Sequence, residues 1–289
     1  MKAVFKREVS ALFGGLTGWL ILASTPFMLG LVLLMVHVNK LSVQFSDCVC
    51  YIWPALVFTG VLCAAGGFSL EKRRGEERAW RMLPVSGTGI VLGRYLGMCV
   101  PFLGGVLIAC AYTLAASLFL GVNAGLSLIC MLLYALCGLT VIAFSLWASC
   151  FTRFALVNAL VVLAAFAVGY YAKEICAWPL IAGSPVVILV ILAGVTALLV
   201  GWHMFRAPVD TLLFTLIAEA LILLFFRGKD AFALDALKEV TGSFGILGIF
   251  DGASAGILDL GSVILCVSIA ALCLTSCALR RRIGGRRPL

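Results

Sequence analysis

Residues 95–152 read YLGMCVPFLGGVLIACAYTLAASLFLGVNAGLSLICMLLYALCGLTVIAFSLWASCFT, 58 consecutive positions without an Asp, Glu, Lys or Arg. A bilayer core takes roughly 20 apolar residues per helix, so this run is too long for one crossing. Gly121-Val122-Asn123-Ala124-Gly125 divides it into two. The pattern repeats in both directions. Gly14–Val36 and residues 48–70 are charge-free on the N-terminal side. Phe154–Tyr171, Pro185–Val200, Thr211–Phe226 and Leu260–Leu279 follow on the other, the third of these interrupted by Glu219. The spacing predicts an all-α integral membrane protein of about eight transmembrane helices, forming a single transmembrane domain over residues 1–289.

Composition excludes the alternatives. Of 289 residues, 63% are apolar and 12% charged, and the mean hydropathy is +1.17. Soluble domains carry about 25% charged residues, so this chain cannot coat a water-facing surface. A soluble enzyme, a secreted disulfide module and a disordered chain are all excluded.

The charges that do occur set the orientation. Lys and Arg concentrate on cytoplasmic loops. With the N-terminus inside, sixteen of the 21 basic residues fall on cytoplasmic segments: Lys2, Lys6, Arg7, six in residues 71–94, Arg153, Arg206 and five in the tail. Lys40, Lys173, Arg227, Lys229 and Lys238 fall outside. Both termini are therefore expected in the cytoplasm. The net charge of +8 is read as this topology signal, attractive to anionic lipid headgroups and not to nucleic acid. Val4–Phe13 reads as an interfacial helix before a retained first span, because the apolar run is too long for a signal peptide. Residues 227–257 carry Ala233, Ala236, Leu237 and Val240 at helical spacing, read as an amphipathic helix in an outer-face loop.

Groups able to do covalent chemistry are sparse. The chain holds no G-x-x-x-x-G-K-[ST], H-E-x-x-H or G-x-S-x-G string, so no enzyme activity is expected. Its twelve cysteines read mainly as small apolar packing residues. Cys48, Cys50 and Cys176 are candidates for an outer disulfide, and no metal site is expected because His37 and His203 fall on opposite sides of the membrane. Glu219 is the polar candidate within a span. A charge at the bilayer centre costs about 2.5–3.5 kcal/mol on insertion scales, so Glu219 is either a coupling carboxylate or a protonated, hydrogen-bonded packing group.

The densest charge lies in Glu71–Arg94, EKRRGEERAWRMLPVSGTGIVLGR, where nine of 24 residues are ionic. Glu77 and Arg81 stand at the favourable i, i+4 spacing, Ala79, Met82 and Leu83 form an apolar stripe beside Trp80, and Pro84 ends the helix. This is a short amphipathic helix at the inner face, followed by a turn into the third span. Glu71-Lys72-Arg73-Arg74-Gly75, Leu83-Pro84-Val85-Ser86 and Val91-Leu92-Gly93-Arg94-Tyr95-Leu96 resemble the E-K-R-S-G-T, L-P-V-S and V-L-G-K-x-L signature of ABC-2 type permease subunits of ABC transporters. The gliding-motility and copper-enzyme-maturation permeases are the subgroup most similar. Ser149–Arg153, Phe250–Leu260 and the basic tail resemble that family's second inner loop, last span and terminus. Glu76-Glu77-Arg78 and Ala79-Trp80-Arg81-Met82 replace its Thr-x-Glu and leucine-rich helix.

The resemblance implies a permease that exports or flips a substrate by ATP hydrolysis on a separate cytoplasmic ATPase subunit. The chain itself binds no cofactor; ATP and Mg belong to the ATPase. Residues Glu71, Lys72, Arg73, Arg74, Gly75, Glu77, Trp80, Arg81, Leu83 and Pro84 are implied to form the docking or coupling helix, with Arg153 as a second contact. A second permease chain, identical or different, completes the assembly, with room for an extracytoplasmic auxiliary subunit, in the cytoplasmic membrane of a prokaryote. Two rival readings stand beside it: an ion-coupled secondary transporter using Glu219, and a membrane scaffold or sensor that transports nothing.

The topology is checked by thiol labelling. In a cysteine-free chain in intact cells, an impermeant maleimide is expected to label Gly228→Cys and to spare Val85→Cys and Leu289→Cys. The opposite pattern inverts the orientation.

Overall fold

The computed structural model describes residues 2–38, 51–68, 87–120, 124–150, 154–177 and 260–285, together with Cys48. All seven elements among them are helices: α1 (Lys2–Gly14), α2 (Leu16–Val38), α3 (Trp53–Gly66), α4 (Gly87–Leu120), α5 (Ala124–Ser149), α6 (Ala155–Ala177) and α7 (Leu260–Gly285). Stretches of α2, α4 and α5 are long and apolar enough to cross a membrane: Leu16–Met35, Gly87–Ala115 and Gly125–Ser149. Trp53–Gly66, Ala155–Phe166 and Val263–Leu279 are shorter apolar helices. Chain contacts define two compact units, Met1–Ala167 with Ile249–Leu289, and Val168–Gly248. In the second unit the described residues are 168–177, the end of α6. The expected spans at 185–200 and 211–226, the outer loop 227–257 and Glu219 lie outside the described residues.

Helix boundaries follow local chemistry. α1 and α2 part at Gly15, and Trp19 bridges the corner by donating from Nε1 to the Phe13 carbonyl at 3.1 Å and meeting the Phe13 ring edge-on at 5.4 Å. Pro26 and Pro101 lie inside α2 and α4. Pro54 occupies the first turn of α3, where the missing N–H is harmless. α4 begins at Gly87, so Arg94 is helical and two turns inside it.

Within the first unit α2, α3, α5 and α4 form a closed circuit, each touching the next. α7 packs against α4 and α5, and α1 against α4 and α2. Bilayer lipid offers no hydrophobic drive between helices, so close packing and hydrogen bonds hold them together. At the centre Tyr134 and Phe102 are fully buried, with ring centroids 6.1 Å apart. The Phe102 ring lies directly against Gly138, filling the space a Cβ would need. The Tyr134 hydroxyl meets Thr25 Oγ1 at 3.4 Å, and Ser24 meets Thr59 at 3.3 Å. Around this core, large apolar side chains such as Trp19, Phe27, Leu107, Leu132 and Leu160 are exposed, as they must be where hydrocarbon is the solvent.

Contacts also give the helix directions. α4 meets α5 at Tyr95 with Leu139 and at Phe102 with Tyr134, so the two are antiparallel. Along α5 and α7, Thr140 donates to the Cys266 carbonyl at 3.2 Å, and Cys150 Sγ lies 3.0 Å from Cys277 Sγ. Both numbers rise together, so α5 and α7 are parallel. Neither residue is in a disulfide, and both are buried.

In a chain retaining only Cys150 and Cys277, copper-phenanthroline oxidation is expected to join them. Protease fragments cut between residues 178 and 259 then stay together until reductant is added, and free separation of the fragments contradicts the parallel pairing.

Candidate functional site

The ends of the helices converge on one basic end of the bundle. The last described residue before the charged loop, Phe68, donates its backbone N–H to Ser149 Oγ at 3.1 Å, and that hydroxyl donates to the Leu146 carbonyl at 2.6 Å. One residue on, Cys150 meets Cys277 of α7. The roots of the 69–86 loop, of the 151–153 loop and of the basic tail therefore lie together. α1, with Lys2, Lys6 and Arg7 exposed on it, packs at the same end.

The joint between α1 and α4 is ionic. Val4, Glu8 and Leu12 share one stripe of α1 at i, i+4 spacing, and Val4 and Leu12 are buried. Glu8, the acid in that stripe, is met by Arg94. Arg94 donates from Nε to Glu8 Oε1 at 3.1 Å and from a terminal nitrogen to Oε2 at 3.3 Å, the two-pronged geometry that suits guanidinium and carboxylate. The side chains are only 7% and 12% exposed. Gly97, one turn along α4, makes room for the approach: a Cβ there would lie 2.8 Å from Glu8 Cβ. On its other side the guanidinium covers the Phe68 ring, 4.6 Å from its centroid, a cation–π contact.

The expected docking residues Glu71, Lys72, Arg73, Arg74, Gly75, Glu77, Trp80, Arg81, Leu83 and Pro84 lie outside the described residues, as does Arg153. The structure gives their roots: Phe68 and Gly87 on either side of the first group, Cys150 and Phe154 on either side of Arg153. Among the described residues no cluster of three or more His, Cys, Asp or Glu gathers. Glu8 was not singled out from the sequence, and Arg94 only as part of the segment that resembles the V-L-G-K-x-L signature, with no role of its own, although both carried a signal. Glu8 is an acid inside an apolar helical stripe, and Arg94 is a base close to the 58-residue uncharged run.

The family model described as ABC-2 family transporter protein matches residues 20–207, 188 of the 289. The chain belongs to the ABC-2 transporter family. The match runs from the second turn of α2 through α6 and includes the whole charged loop. No curated protein and no solved structure matches the chain. As an ABC-2 family member the chain is a multi-pass membrane protein and the permease component of an ABC transporter, which implies an ABC ATPase subunit as partner.

Breaking a buried ion pair from one side costs about 3–5 kcal/mol, whereas replacing both partners with apolar residues is often neutral. Arg94→Ala is therefore expected to lower the unfolding temperature in detergent sharply, and Glu8→Leu with Arg94→Met to restore most of the loss. Equal losses in the two would show that the charges are not coupled.

Proposed function

We propose that this chain is the permease subunit of an ABC exporter in the cytoplasmic membrane of a prokaryote, related to the gliding-motility and copper-enzyme-maturation permeases. It has about eight spans with both termini inside, pairs with a second permease chain, and is driven by ATPase subunits that bind and hydrolyse MgATP. This chain contributes no catalytic group. The observation that carries the reading is the convergence, in an ABC-2 family chain, of the charged loop's roots, the 151–153 root and the basic tail on one end of the bundle. A soluble ATPase needs such a compact platform.

The helix over residues 71–83 is the coupling element. Glu77 and Arg81 hold it as a stiff rod, Trp80 and Leu83 give it an apolar face for a cleft in the ATPase, and Pro84 ends it before α4. Arg73 and Arg74 belong to the same docking segment, and Arg153 adds a second contact. Closure of two ATPase subunits around MgATP moves this helix, and the rigid spans turn the motion into alternating exposure of a path between two permease chains. Residues 227–257 cap that path at the outer face, where an auxiliary subunit has room to bind.

Affinity-tagged chain from native membranes is expected to bring down an ATP-binding subunit in stoichiometric amount, and Glu77→Lys with Arg81→Glu to release it. Glu219→Gln is expected to leave ATP hydrolysis by the complex intact. A chain that purifies alone, and whose gradient-driven uptake is lost in Glu219→Gln, would be an ion-coupled transporter instead. A chain that purifies alone and moves nothing would be a scaffold.

A further inference from the structure

The helix circuit closes without α1, because α2, α3, α5 and α4 already contact one another in a ring. α1 is nevertheless docked by a contact far more demanding than packing requires. Val4 and Leu12 supply apolar area that would still be covered if α1 slid along α4 by one turn of about 5.4 Å. The Glu8–Arg94 pair would not survive that slide, since both charges would be buried and separated. Gly97 adds a steric notch that accepts Glu8. The register of α1 is thus set by this buried ion pair, the best-attested use of a buried charge.

The same guanidinium reaches further. It lies on Phe68, the residue from which the chain leaves for the charged loop, and it sits two turns past Gly87, where the chain returns. One side chain therefore ties together the root of α3, the root of α4 and α1. We propose that Arg94 is a positioning residue for ATP-driven transport: through Glu8 and Phe68 it makes α1 and both roots of the charged loop one rigid body, so that force delivered by the ATPase moves α1 together with α4. The proposal rests on the permease reading above.

The test uses the permease–ATPase complex purified from membranes by a tag on this chain, with MgATP as the probe. Glu8→Leu with Arg94→Met keeps the interface filled but removes its register. It is expected to retain the same amount of ATPase per chain and an unfolding temperature close to that of the wild type, while kcat for ATP falls about fivefold and KM for ATP stays unchanged. Gly97→Ala is the second variant, displacing α1 without altering either charge, and is expected to lower kcat in the same way. It decides the matter if the double variant does not accumulate. Unchanged kcat in the double variant, or in Gly97→Ala where the double variant is not recovered, with the ATPase still bound, overturns the role of Arg94 alone. A wild-type preparation that carries no ATPase overturns the permease reading and this role with it.

Discussion

A peptide group or a charge carried into hydrocarbon loses its water and must find its partner inside the protein. That penalty arranges most of this bundle. It forces the crossing backbone into helices, and it pushes ionic side chains toward the loops and the basic end. The charge it admits at the α1–α4 joint is paired: Arg94 with Glu8 in two-pronged contact, its face covered by Phe68. Interhelical hydroxyl contacts obey the same rule on a smaller scale. Thr25, Ser24 and Thr140 each meet a group on a neighbouring helix, and Ser149 serves the backbone where α3 ends.

Packing then decides which helices touch. The Phe102 ring fits because position 138 lacks a side chain, and Glu8 fits because position 97 does. Both notches are on helices that border several neighbours, α5 and α4. The central pair is therefore shaped to receive others, while the outward faces remain unselective apolar surface. The basic end is correspondingly the part of the described unit where chemical information is concentrated.

Much of this could be read in the chain beforehand, because a span leaves a simple trace. The break at residues 121–125 falls between α4 and α5, and the expected first, fifth and last spans fall on α2, α6 and α7. The third span was expected to begin at Tyr95, because a charge was taken as its boundary. The helix instead starts at Gly87 and carries Arg94 within it, since burial beside Glu8 removes the reason for expulsion. Helical periodicity places Glu8 on a stripe with Val4 and Leu12, but it does not say which distant residue faces that stripe. Pairings across 86 residues of sequence, such as 8 with 94, come from the tertiary arrangement and have no local spacing to betray them. The meeting of Cys150 with Cys277 is hidden for the same reason, as two members of a dozen similar residues.

The parallel pairing of α5 and α7 has a topological consequence of its own. A helix parallel to α5 at the end of the chain must enter the membrane from the same side as α5 does. The chain that follows Cys277 therefore leaves α7 on the side where α5 ends, next to the roots of the 69–86 and 151–153 loops. A link in register between these two helices fixes the face on which the last arginines emerge, because α7 cannot be inverted without carrying Cys277 away from Cys150.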